Sequence, residues 1–216
     1  MARPTFVDYA IGSTSSGDNF TTMPISVPAS RAVGDLMLVG VSSHSGGVNA
    51  PTDFTELSRP ASNSVLAHFT STVAGGGTIT ATSSGGAHGR AFLVLIRGAV
   101  GHAMAVAGLQ SDAANSISLP AVGPSGATDG LHIFGGFHRN GFNDPRHLPV
   151  FSGPAATMRW ATTTDWGSAL WTRDFDAGEA VQVISNTASA RQMVAWNLLL
   201  HKPGSAPTVG YIGSGL

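Results

Sequence analysis

The stretch Arg90-Ala-Phe-Leu-Val-Leu-Ile-Arg97 is apolar at every position between its two arginines. Side chains on a strand alternate between two faces, so a run that is apolar at both parities must be covered on both sides. It falls far short of the ~20 residues of a bilayer-spanning helix. Leu36-Met-Leu-Val39 has the same character, and both are expected to be central strands. Outward from these two runs, further short segments sit between clusters of Gly, Pro, Asn, Asp and Ser, as in a sandwich or barrel. Strands are expected near 5–11, 22–27, 54–57, 64–71 and 78–82. A second series is expected near 103–109, 115–119, 131–137, 155–161, 169–175, 180–185 and 191–201.

Composition agrees. The 28 glycines and 12 prolines among 216 residues would break long helices, and charged residues make up only 11%. A single lysine, Lys202, stands against ten arginines, so the surface must be dressed by Ser, Thr, Asn and Gly. The expectation is an all-β chain with very little helix.

The two series read as one series written twice. Ile25-Ser-Val-Pro-Ala29 returns as Ile117-Ser-Leu-Pro-Ala121, and Asp35-Leu-Met-Leu-Val-Gly40 as Asp129-Gly-Leu-His-Ile-Phe-Gly135. Val73-Ala-Gly75 returns as Asp176-Ala-Gly178, and Arg90-Ala-Phe-Leu-Val-Leu95 as Arg191-Gln-Met-Val-Ala-Trp196. Preserved order with drifting offset is what a duplicated β unit gives when its loops vary. On this alignment Trp171 and Trp196 match Phe69 and Leu95 and belong to the core. The expected architecture is a jelly-roll-like β-sandwich built from two homologous halves, 1–98 and 99–203, packed as one unit, with 204–216 as a C-terminal arm held by a partner subunit.

Several function classes are disfavoured. A formal net charge of −1 gives no basic face for displacing counterions from nucleic acid. With no cysteine there are no disulfides, thiolate nucleophiles or cysteine-held clusters. The start Met1-Ala-Arg-Pro-Thr-Phe-Val-Asp8 lacks the apolar core of a secretory signal, and no membrane insertion is expected.

The repeated pattern resembles a β-sandwich module of bacteriophage virion proteins, particularly tail-associated ones. Pro28-Ala29 leads into Gly34-Asp-Leu-Met-Leu38, and the turn Ala50-Pro-Thr-Asp-Phe-Thr55 follows, with Phe54 where the module usually has Trp. Thr128-Asp-Gly-Leu131 opens the second half, and Leu198-Leu-Leu-His-Lys-Pro203 closes it. The resemblance implies a fold and a virion setting and carries no catalytic residues. Independently of it, Gly34 can take positive φ where the chain turns into its strand, and Asp35 can accept bonds from nearby backbone amides.

Each candidate site also has a simpler structural explanation. His132, His138 and His147, with Asp144, form a conceivable metal set, but the intervening glycines and Asn-Asp-Pro are bend-prone, and no zinc-type spacing exists. We therefore expect loop and surface histidines, with no metal and no cofactor. Ser42, Ser43 and His44 lack the Gly-x-Ser-x-Gly elbow. The carboxylate pairs Asp53/Glu56 and Asp174/Asp176 sit where turn chemistry places acids. The loop holding Phe137, His138, Arg139, Asn140, Phe142, Arg146 and His147 gathers aromatic, basic and amide groups, and Trp166 lies in a turn. These eight are the candidate interaction residues, suited to subunit contact or to stacking against a sugar. The resulting expectation is a non-enzymatic virion protein of a tailed phage, assembled in the host cytoplasm as a tail or tail-tip component. Its partners would be copies of itself, other virion proteins and a host-surface glycan. A capsid decoration protein and a stand-alone carbohydrate-binding module are the alternatives.

Overall fold

A computed structural model describes residues 2–13, 19–118, 122, 129–138, 149–151, 156–162, 167–175 and 184–202. These residues are all-β and form a sandwich built from two halves, with no helix among them. The first half holds β1 (Thr5–Ser13), β2 (Asn19–Val27), β3 (Leu36–Ser43), β4 (Val48–Asn49), β5 (Thr55–Ala61), β6 (Ser64–Thr70), β7 (Gly77–Ala87) and β8 (Gly89–Arg97). The second holds β9 (Ala103–Ser118), β10 (Gly130–His138), β11 (Pro149–Phe151), β12 (Thr157–Ala161), β13 (Gly167–Phe175) and β14 (Ile184–His201). The joint is the short turn around Gly98 and Gly101, both at positive φ.

The duplication is visible in strand order. In the first half an inner sheet runs β1-β8-β3-β6-β5; in the second the order is β9-β14-β10-β13-β12. All neighbours are antiparallel, and β3 and β10, the strands that follow the two Asp-containing motifs, lie at the centres. The edge pairs β5–β6 and β12–β13 each carry an irregularity at the same point, between Glu56 and Ser58 and between Met158 and Trp160. An outer layer β2-β7-β4 is echoed by the far end of β9, the start of β14 and β11. Among the described residues the halves differ in strand continuity. In the first, β7 and β8 are broken at His88 (φ 48°), whereas β14 runs unbroken and so does β9. The expected strand pairs 103–109 with 115–119 and 180–185 with 191–201 are therefore each one long strand, so far as the residues are described.

The inner sheets pack face to face. Leu36, Leu38, Phe92 and Val94 meet Leu131, Ile133, Trp196 and Leu198 in one buried cluster. Tyr9 of β1 stacks on Trp160 of β12 with ring centroids 4.5 Å apart, while Ser64 at the start of β6 donates to Gln110 of β9. Ser58 and Pro60 of β5 likewise crowd Gly108 of β9. Since β12 is the counterpart of β5 and β9 that of β1, each half meets the other through exchanged elements, the signature of a local two-fold. The opposite face of the first sheet packs Met37, Val39, Val41, Leu93 and Leu95 against Met23, Ile25 and Val27 of the outer layer.

Register fixes which residues correspond. Gly40 sits between Leu66 and Phe92, and Gly135 between Leu170 and Trp196, all in the shared core. The aromatic paired with the central-strand glycine is thus Phe92 in one half and Trp196 in the other. This corrects the sequence alignment: Trp196 corresponds to Phe92 rather than Leu95, and Trp171 to Ala67 rather than Phe69. Shifting β14 by three residues would have turned its apolar set to the wrong face.

Candidate functional site

Polar chemistry gathers in three places. The first is where the chain enters each central strand. Gly34 (φ 86°) turns into β3, and Asp35, 1% exposed, accepts from the Ala32 amide at 2.8 Å and from Arg97 Nε and Nη2 at 2.9 and 2.8 Å. Burial alone would raise the Asp35 pKa; the bonds from Arg97 and Ala32 outweigh it and hold the carboxyl below its usual range. The second half has an analogous ion pair one residue out of register, since Gly130 stands where the first half has Asp35. Asp129 (φ 23°) precedes β10 and accepts from Lys202 Nζ at 2.8 Å, which lowers its pKa. Arg3, two residues before β1, crosses over to Asp174 at 3.1 Å and Asp129 at 3.7 Å.

The second place lies on the outer face of the second inner sheet. His132, Arg173 and Asn197 stand on β10, β13 and β14 and are all buried. Arg173 Nε donates to His132 Nδ1 at 3.0 Å, so that nitrogen carries the lone pair. The proton is then on Nε2, which meets Asn197 Oδ1. Burial first, and the Arg173 charge after it, push the His132 pKa down to about 4, with the Asn197 contact offsetting part. At the corresponding positions the first half has Met37, Phe69 and Leu93, an apolar face. Both His132 nitrogens are engaged, which takes it out of the metal set considered from sequence. Neutral and with its lone pair occupied by Arg173, it is also unsuited to general-base work.

The third is a cleft of about 190 Å³ at the joint, lined by Leu36, His68, Thr70, His102, Met104 and Leu200 among others. Its counterpart across the two-fold is the seat of Arg3, whose own equivalent beside the cleft is Gly101. Thr70 likewise stands where the other half has Asp174. Burial lowers the pKa of His68 and His102, in the latter case partly offset by the Val100 and Ala99 carbonyls.

The sequence candidates are distributed as follows. Phe137 and His138 are corrected: both belong to β10 and are fully buried, Phe137 stacked on Phe92 in the shared core at 5.4 Å. Gly135-Gly136 is not a bend; a Cβ at Gly136 would collide with the Val194 carbonyl oxygen, so close strand packing requires the glycine. Arg139, Asn140, Phe142, Arg146, His147 and Trp166 lie outside the described residues, as do Asp144 and Asp176. Ser43 Oγ is turned to the Ser45 and Gly46 carbonyls. Glu56 is paired with Arg59 at 2.8 Å, and Asp53 occupies a left-handed turn position (φ 72°). Among the described residues no three His, Asp or Glu side chains converge as a metal set. Sequence reasoning missed the roles of Arg173 and Asn197. Their signal is a polar residue inside otherwise apolar strands, as in Trp196-Asn-Leu198.

No protein-family model, no curated protein and no solved structure matches this chain.

Proposed function

We propose that the chain is a non-enzymatic structural protein of a tailed-phage virion, a tail or tail-tip component that works by presenting a rigid double sandwich to neighbouring subunits. The observation that carries this reading is the pair of clasps, one at the entry to each central strand. The residues on which the resemblance to phage virion modules rests, Gly34-Asp35 with its strand and Asp129 with Lys202, are those that lock each central strand to the end of the last strand of its sheet. Val33 and Val73 are exposed on turns joined by the Gly34-to-Ser71 and Gly75-to-Arg31 backbone bonds, and Val100 is exposed on the joint beside the cleft. Apolar side chains grouped at one end of a weakly charged sandwich suit contact between copies packed side by side.

The test is immunogold labelling of gradient-purified particles with an antibody against this chain, alongside peptide mass spectrometry of the same fraction. Label at the tail or its tip supports the proposal. Label scattered over the head would replace it with capsid decoration, and particles without label or peptide would end the virion reading.

A further inference from the structure

We propose that His44 and His88 form a chelating pair for a late first-row divalent cation such as zinc, nickel or copper. The inference is independent of the virion reading. Antiparallel register pairs Ser42 with Arg90 and Ser43 with Gly89, and the next rung is His44 with His88, closed by the His44 amide donating to the His88 carbonyl at 3.1 Å. Directly opposed residues of neighbouring strands hold their Cβ atoms about 4.5–5.5 Å apart. The two imidazoles accordingly meet edge to face, with centroids 6.3 Å apart and planes at 67°. At this separation a single ion placed between the rings would take one nitrogen from each.

The surroundings keep this pair in place. On the His44 side, Ser43 is pinned by the Asn63 carbonyl on its amide and by Asn63 Nδ2 on its own carbonyl at 2.9 Å, while its hydroxyl closes the following turn. On the other side His88 adopts φ 48°, a left-handed conformation that L-residues seldom take, although glycine follows it directly. Both rings are half-exposed, so an ion held there has access to water or to another donor for its remaining positions. Imidazole ligands favour zinc, nickel and copper over calcium or magnesium, and copper should bind tightest by the usual divalent order.

The test is titration of the full chain with zinc and with nickel chloride by isothermal calorimetry, and thermal unfolding at increasing metal. Wild type should bind one equivalent, with a Tm that rises with metal concentration. His44→Gln and His88→Asn should each weaken binding at least ten-fold. Asn tolerates left-handed backbone, so the second change removes the ligand while keeping the turn. The double variant His68→Gln/His102→Gln should bind as wild type does. Failure of wild type to bind either metal, or binding left intact by His44→Gln, overturns the proposal. Binding lost only on changing His68 and His102 would also overturn it.

Discussion

The packing of Phe92 over Gly40 yields a quantitative test of how the halves are joined. A Cβ built on Gly40 comes within 2.5 Å of Phe92 Cε1 and closer still to Cζ, where real contacts begin above 3.0 Å. The ring is hemmed in, because Phe137, Trp160 and Trp196 lie 5.4, 5.5 and 6.2 Å from its centroid. Overpacking of this kind costs about 1–3 kcal/mol. Replacing a strand glycine by alanine returns about 0.5–1 kcal/mol of backbone entropy. Gly40→Ala should therefore destabilise by roughly 1–2 kcal/mol, or about 2–8 °C in Tm for a chain of this size. Phe92→Leu should cost about 2 kcal/mol through lost ring contacts and incomplete collapse of the site. In the double variant the leucine vacates the space the new methyl needs, so its stability should match that of Phe92→Leu alone. The assay is urea unfolding with the slope compared across all four proteins, since only a constant slope makes the midpoints comparable. Gly34→Ala serves as the control. It meets nothing within 4 Å but is held at φ 86°, so its cost of about 1–2 kcal/mol is backbone strain and Phe92→Leu should not relieve it. Additive effects of Gly40→Ala and Phe92→Leu would refute the claim that Phe92 packs directly on Gly40.

Two further outcomes are expected from pH. The Asp35 pKa is lowered on folding, so its contribution to stability is present above the unfolded carboxyl range and is lost as pH falls through the folded pKa; Asp35→Asn should be less stable than wild type at pH 7, with the gap closing below pH ~3.8 when unfolding is followed by fluorescence. His132 is also lowered, to about 4 from 6.5, so the unfolded chain binds more protons across that window and stability falls as the medium is acidified through it, by an amount on the order of 3 kcal/mol. His132→Met, which installs the side chain of the corresponding Met37, should remove that slope; an unchanged acid slope would show that His132 is not its source.

Much of the fold was legible because its signals are local. Ala91–Ile96 and Leu36–Val41 are apolar at both parities, and the structure sets each between two neighbours with a layer on either side. The Gly-Asp signal was read correctly for the same reason: positive φ and the Ala32 bond are properties of a few adjacent residues. The repeat was visible, but its register in the last strand was not. Arg90 and Arg191 are the eye-catching match, yet the deciding feature is an aromatic over a glycine on the neighbouring strand, a pairing between residues far apart in sequence. The polar triad was hidden more deeply. Its bonds join His132 to positions 41 and 65 residues away, and only superposing the halves shows polar groups where the sibling is apolar. Phe137 closes the expected strand 131–137 and also opens the candidate loop; the structure carries the strand through His138, and the bend-prone Gly135-Gly136 lies within it because in a central strand glycine also answers to close packing.

The triad also bears on how a duplicated chain avoids confusing its halves. The two inner sheets share one strand order, so a strand of one half could in principle seat itself in the other, and repeat-built proteins are prone to such misassembly. If β14 lay beside β3 with Trp196 over Gly40, Asn197 would fall opposite Val39 and face the apolar layer of Met23 and Ile25. An amide buried there without His132 costs about 1–3 kcal/mol. If β13 lay beside β3 in the same register, Arg173 would fall opposite Met37, and burying its charge away from His132 costs several kcal/mol. The reverse exchange sets Leu93 in the place of Asn197 and strips His132 Nε2 of its partner. Mispairing is therefore penalised in either direction, while the shared core of Leu36, Leu38, Leu131 and Ile133 would accept either half. The outer faces, not the common interior, distinguish the two copies of the unit.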